Sequence, residues 1–117
     1  MEKYSVKLSK LDYEIINRVR ELREQKGISQ RDLSGLMNLS KSFVGKVEAL
    51  GQPDKYSIRH LTLIARALKL ESLADLLPRS IPDEDIIEII YEKRPKLTKN
   101  GHESKQLEEE IIEIRTV

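Results

Sequence analysis

The chain is 117 residues long with no cysteine, which suits one compact domain plus an appendage and excludes a disulfide framework or a thiolate metal site. No apolar run approaches the ~20 residues of a membrane span, and the N-terminus has no signal-peptide core, so a cytoplasmic protein without a membrane partner is expected. Formal net charge is +1, but residues 1–80 hold 15 Lys/Arg against 10 Asp/Glu (net +5) and residues 81–117 hold 6 against 10 (net −4), the asymmetry of a phosphate-binding body with an acidic tail and also of many solvated surfaces.

Residues 1–8 carry no clear signal and read as an N-terminal arm, mobile or added to a sheet edge. A first helix is expected from Ser9 or Asp12 to Gly27. Leu8, Leu11, Ile15, Val19 and Leu22 recur at three-four spacing with Ile16 alongside, and Gly27 is a left-handed stop. Ser29 and Asp32 then stand three apart as a capping box. Leu33, Leu36 and Met37 supply one apolar face, and Asn38 can adopt the left-handed conformation that ends a helix sharply.

After Leu39, Ser40 is a candidate cap for a third helix from Lys41 to Ala49 or Leu50. Val44 and Val47 face inward there, while Lys41, Ser42, Gly45 and Lys46 face outward. Two short helices joined by a tight turn, the second with a polar and basic outer face, have the geometry that sets a helix into the major groove of DNA. Gly45 costs about 1 kcal/mol of helix stability relative to Ala. Either its bare backbone approaches a base edge closely, or it is a neutral surface glycine.

Gly51, Pro53 and Asp54 mark a loop. Ser57 then caps a fourth helix with Ile58, Leu61, Ile64, Ala65 and Leu68 inside. Lys55 and Arg59 flank its start, where free N–H groups and the helix dipole suit an anion. Glu71 or Ser72 opens a last short helix through Leu77, closed by Pro78. The domain is therefore bounded at 9–78, with a linker at 79–84.

Residues 85–117 read as a β-rich segment. Ile86–Tyr91 and Ile111–Val117 are β-branched runs, and Asn100-Gly101 between them is the type I′ hairpin dipeptide. Folding the chain there, with partner numbers summing to 201, sets Ile90 against Ile111, Ile89 against Ile112 and Ile87 against Ile114. A helix over 85–93 is the competing reading, since Ile86, Ile89 and Ile90 also fit helical spacing; Ile-rich runs favour the strand. A lone hairpin is marginal in water, so Ile87, Ile89, Tyr91, Ile112 and Ile114 are expected to dimerise the chain or to bind another protein. Glu92, Lys93, Lys99, Lys105, Glu108 and Glu109 toward the tip would limit further edge pairing.

Leu22-Arg23, Gly27-Ile28-Ser29-Gln30, Leu33, Val44 and Val47-Glu48, followed by Leu61-Thr62-Leu63-Ile64-Ala65-Arg66-Ala67-Leu68 and by Leu73 to Leu77, stand in the order and spacing of a known pattern. From Ile15 to Leu77 the chain resembles the phage-repressor and Cro type of helix-turn-helix regulator (the XRE family). It departs from that family at Ser34, where a small Ala is usual, and at Asn38, where the turn Gly stands. A third departure is Ala49-Leu50-Gly51 after Glu48. The resemblance implies a mainly α fold: a five-helix lambda-repressor-like domain, here with a C-terminal hairpin or strand pair. It also implies an ion pair between Arg23 and Glu48 that orients the third helix, and phosphate contact at the start of the fourth.

The expected function is sequence-specific binding of double-stranded DNA by a homodimeric repressor. Lys41, Ser42, Gly45 and Lys46 would read bases. Ser29, Gln30, Lys55, Tyr56, Ser57 and Arg59 would hold phosphates. An antitoxin or controller protein whose C-terminal segment binds a partner is the alternative, and an adaptor that does not touch DNA is a third. No enzyme, cofactor or metal is expected. His60 and His102 are the sole histidines, Glu108-Glu109-Glu110 reads as a solvated run, and no phosphate loop or nucleophile motif occurs.

Overall fold

Ser9 sets where the first helix begins. Its backbone is extended and its Oγ accepts from the Asp12 N–H, so helix α1 runs Lys10–Gln25. The computed structural model describes residues 2–117; Met1 lies outside the described residues, as do the side chains of residues 103–105, including the charge expected at Lys105. The element order is β1 (Lys3–Ser9), α1, α2 (Gln30–Leu36), α3 (Phe43–Glu48), α4 (Ile58–Ala67), a 3₁₀ turn (Leu73–Leu76), β2 (Ile86–Leu97) and β3 (Glu103–Thr116).

Two units divide the chain: Ser9–Asp85, and the residues up to Leu8 together with Ile86–Val117. The expected boundaries change accordingly. Of the two readings of the N-terminal arm, the sheet edge is the one found: residues 3–8 belong to β1, at one edge of a sheet ordered β1-β2-β3. The expected linker joins the helical unit, where Asp83 pairs with Lys10 at 3.0 Å and the Lys10 N–H donates to the Asp85 carbonyl at 2.8 Å.

The helical unit encloses one apolar core. Ile15, Val19 and Leu22 of α1 meet Leu33, Met37, Val44, Leu61, Ile64, Leu68 and Leu76 there. Three expected core positions lie outside it: Leu11, Leu36 and Ile58 are exposed, Ile58 to 84%. Ile58 is the first residue of α4, before the helix has turned its apolar stripe inward. The expected fifth helix is a single 3₁₀ turn, capped by the Ser72 Oγ on the Ala74 N–H and closed before Pro78. The unit thus has four α-helices rather than five.

The turns follow left-handed chemistry. Gly27 has φ +68° and Asn38 φ +59°. At Asn38 the following Leu39 N–H donates back to the Ser34 carbonyl at 3.0 Å, which closes α2 as a Schellman motif. Lys69 ends α4 the same way with φ +56°, and the Leu70 N–H donates to the Ala65 carbonyl at 2.9 Å.

In the sheet unit, residues 86–97 form a strand and not a helix. Ile87, Ile89 and Tyr91 are buried while Ile86, Glu88 and Ile90 are half-buried, the alternation of a strand with one covered face. Tyr4 of β1 stacks on Tyr91 at 5.6 Å, and the Lys93 ammonium lies 4.8 Å from the Tyr4 ring centre.

The expected register is off. Ile89 faces Ile114 and Ile87 faces Thr116, two residues beyond the sum of 201, and past a shift between Ile90 and Tyr91 the pairs become Tyr91 with Ile111 and Arg94 with Glu108. The displacement comes from two irregularities that add residues to β3, one between Pro95 and Leu97 and one between Ile90 and Tyr91; the turn itself, closed by Thr98 and His102, shifts the sum the other way, to 200. Asn100 does not take positive φ and Gly101 does, at +81°; the Gly101 N–H donates to the Thr98 carbonyl, and the Thr98 N–H to the His102 carbonyl at 2.7 Å. The loop is therefore Lys99-Asn100-Gly101, three residues ending in a left-handed glycine, and not a two-residue type I′ turn.

Candidate nucleic-acid interface

Helix α3 is shorter than expected, with no side-chain cap. It starts at Phe43, its N-cap residue Ser42 is in the helical region, and Ser40 enters only through its carbonyl, which accepts from the Phe43 N–H. Its first turn is held from another helix. Ser34 is fully buried; its Oγ accepts from the Val44 N–H at 3.0 Å and donates to the Gln30 carbonyl at 2.9 Å. A residue that departs from the family pattern thus supplies the bond an N-cap usually makes.

The end of α3 is fixed by Glu48, whose side chain is 2% exposed. Arg23 forks onto it, Nε to Oε2 at 3.0 Å and Nη2 to Oε1 at 2.8 Å. Arg20 donates to the same carboxylate at 3.2 Å and to the Glu48 carbonyl at 2.9 Å, and the Gln30 amide adds a bond at 2.9 Å. The remaining Arg23 Nη1 donates to the Ile28 carbonyl. One carboxylate therefore ties α1, α2 and α3 together. A buried acid with this many charge-assisted donors is well compensated, and removing one partner of such a pair costs about 3–5 kcal/mol.

Beside this tie lies an open groove of about 470 Å³, lined by Gln30, Arg31, Lys41, Ser42, Gly45, Lys46, Ala49 and Gln52. The four residues expected to read bases all line it. Lys41, Ser42 and Lys46 are exposed. Gly45 also has a place in the scaffold that its sequence context does not reveal: a Cβ there would stand 3.2 Å from the Gln30 Oε1. The bare backbone makes room for the amide that bonds Glu48. Arg31 and Gln52 were not singled out by sequence reasoning. Arg31 is an unremarked polar position of α2, and Gln52 lies in a loop whose path no local pattern reveals.

The expected phosphate contacts are placed unequally. Ser29 is exposed and caps α2 through its Oγ on the Asp32 N–H. Gln30 is exposed, but its amide is engaged with Glu48. Lys55 leans its ammonium on the Gln52 and Asp54 carbonyls at 3.4 and 3.2 Å. Ser57 and Arg59 are exposed at the start of α4. Tyr56 is not presented outward: its hydroxyl is buried with no hydrogen-bond partner, and burial, chiefly, pushes its pKa up. It packs against Phe43 and His60, with ring centres 6.0 and 6.5 Å away.

His60 is part of the scaffold at this end. Its Nδ1 accepts from the Ser57 N–H at 2.9 Å while the Ser57 Oγ accepts from the His60 N–H at 3.2 Å, a reciprocal capping box. The ring lies 4.7 Å from that of Phe43, the first residue of α3. Burial and then Arg59 hold its pKa below the ordinary histidine value. No group of acidic, histidine or cysteine side chains among the described residues could hold a metal ion, and no helix among them is long and apolar enough to cross a membrane.

The family described as Helix-turn-helix matches residues 19–76. Among solved structures, the chain is similar to the restriction-modification controller protein C.AhdI from Aeromonas hydrophila, with 38% identity over 55% of this chain and 92% of that one and a TM-score of 0.47. No curated protein matches it. The chain belongs to the helix-turn-helix family of the XRE type, and it is a DNA-binding regulator of transcription.

Proposed function

We propose that the chain binds double-stranded DNA as a homodimeric repressor, with α3 in the major groove. Lys41, Ser42 and Lys46 reach base edges, where lysine can donate to guanine O6 and N7 and serine can donate or accept. Gly45 allows close backbone approach. Ser29, Ser57 and Arg59 hold phosphates, joined by Lys55 once it leaves its loop carbonyls and by Arg31 on the groove wall. Gln30 positions Glu48 first and faces phosphate second. The chemistry is recognition, with no catalysis, and its target implies a cytoplasmic location. The observation that carries the reading is the open groove that gathers Lys41, Ser42, Gly45 and Lys46 beside the Glu48 tie.

Selection of DNA sites from a random library with the purified protein should return a two-fold symmetric motif. Lys41→Ala with Lys46→Ala should then bind that motif at least about tenfold more weakly and with relaxed preference, since each good base contact discriminates by about 1–3 kcal/mol. A folded double variant with unchanged affinity and preference removes these residues from the groove.

A controller of a restriction-modification system is the second reading, favoured by the 38% identity to C.AhdI. A selected motif lying upstream of restriction or modification genes in the native genome would support it. An antitoxin role would instead show as a stoichiometric protein partner on purification from the native host.

A further inference from the structure

Strand β3 is one edge of the sheet, and its exposed residues 106–117 include Ile111, Ile112 and Ile114, which are 41, 43 and 48% exposed. The register shift between Ile90 and Tyr91 gives β3 one extra residue. Ile111 therefore stands across from Tyr91 and Ile114 across from Ile89, both on the buried face of β2. An apolar face thus runs from covered residues on β2 to half-open ones on β3. Of the residues expected to dimerise the chain, Ile87, Ile89 and Tyr91 are buried within the protein; Ile112 and Ile114 are not. The other edge, β1, is half as long and carries Lys3 and Lys7, charges of the kind that discourage edge pairing.

We propose that β3 pairs antiparallel with β3 of a second copy of this chain, about a two-fold axis between Ile112 and Glu113. The inference deepens the homodimer proposed above and rests on that reading. This register sets Ile111 of each chain against Ile114 of the other, on the apolar face. It sets Glu110 of each against Arg115 of the other on the opposite face, adding a cross-chain pair to the ones each already makes within its chain, Glu110 with Arg94 at 2.6 Å and Arg115 with Glu113 at 3.0 Å. The acidic run Glu108–Glu110 falls at the rim of the overlap, not against its copy.

Neighbouring registers of the same parity do worse. Two residues toward the tip, Glu110 meets Glu113. Two residues toward the C-terminus, Ile112 meets Arg115 and Ile111 meets Thr116. The proposed register leaves Ile112 across from Glu113 only beside the axis, where Ile112 is the extra residue of β3. A one-residue slip toward the tip sets Ile111 against Glu113 and Ile114 against Glu110, and one toward the C-terminus sets Glu113 against its copy and Ile111 against Arg115. Register is strongly specified where one face is apolar and charges alternate with it, and a self-complementary strand is what an isologous interface requires.

Sedimentation equilibrium of the full chain across concentration tests the seam. Arg115→Glu should weaken the dimer about tenfold or more by setting like charges across both ends, and Arg115→Glu with Glu110→Arg should restore it. Because the chain has no cysteine, nitroxide pairs at Glu113→Cys can be read without background. They should lie within roughly 20 Å of each other, whereas labels at Lys99→Cys should be beyond about 60 Å, given the ~3.4 Å rise per strand residue. A monomer at every concentration, a dimer indifferent to Arg115→Glu, or remote labels at 113 overturns the proposal. Binding to a DNA half-site is measured in parallel. Half-site binding without a β3 dimer sinks the seam alone, and a charge-sensitive dimer without DNA affinity sinks the DNA reading alone.

Discussion

Ser34 carries more of the interface than its size suggests. It replaces a residue with no polar group, yet its hydroxyl is the acceptor for the Val44 N–H in the first turn of an uncapped helix. Ser34→Ala leaves that buried donor unmade, and the expected loss is about 1–2 kcal/mol in chemical denaturation; an unchanged midpoint would show that the hydroxyl does not hold α3. The sequence shows that Ser34 is unusual but not why, because the bond spans ten residues and two helices. The same holds for Gln30 and Gly45. Each looks like an independent surface residue, and their shared purpose exists only once α2 lies against α3. Asn38, Gly27 and Ser57 are legible for the opposite reason: left-handed turns and caps are satisfied within a few residues.

Helices were easier to read than strands. The apolar spacing of α1 and α4 predicts their cores, failing only in the first turn, at Leu11 and at Ile58. The hairpin was legible in kind but not in register, because two irregularities that add residues to β3 displace the pairing that Asn100-Gly101 suggests. For β1 the sequence leaves an edge strand and a mobile arm undecided, since its neighbour β2 lies some eighty residues on. Element ends also store correctable strain. Lys69 terminates α4 at φ +56°, a conformation that costs a residue with a Cβ about 1 kcal/mol. Lys69→Gly should raise stability by about 0.5–1 kcal/mol, visible as a higher denaturant midpoint at unchanged m-value. A lower midpoint would mean that the lysine side chain contributes more than its backbone costs.

Across the whole molecule, the charge asymmetry read along the chain disappears once the units are known. Residues 9–85 hold 13 Lys/Arg against 12 Asp/Glu, net +1, and the sheet unit holds 8 against 8. The basic footprint is local to the groove and the start of α4. Acid response is likewise set by a few groups. His60 has a folded-state pKa below its ordinary 6.5, from burial and then Arg59, so its capping contribution is full above that value and is lost as pH falls through the folded one. Asp83, held down by the Lys10 hydrogen bond, and Glu113, held down by Arg115, act in the same direction in the ordinary carboxylate range. The melting temperature should therefore fall in two stages on acidification. His60→Gln, which keeps an acceptor at the third position of α4, should abolish the upper stage while leaving the lower; an upper stage that survives this substitution has another source.

Gly45 limits how the specificity of this protein can drift. Lys41, Ser42 and Lys46 can be exchanged freely as far as the scaffold is concerned, so three letters of the address are open to change. The fourth is more constrained, because a methyl group at 45 would stand 3.2 Å from the Gln30 Oε1, and the amide that also bonds Glu48 would have to give by a few tenths of an ångström. New operators should thus be reached more readily by rewriting the flanks of that glycine than by replacing it, since a side chain there would first have to displace the amide that joins the clasp.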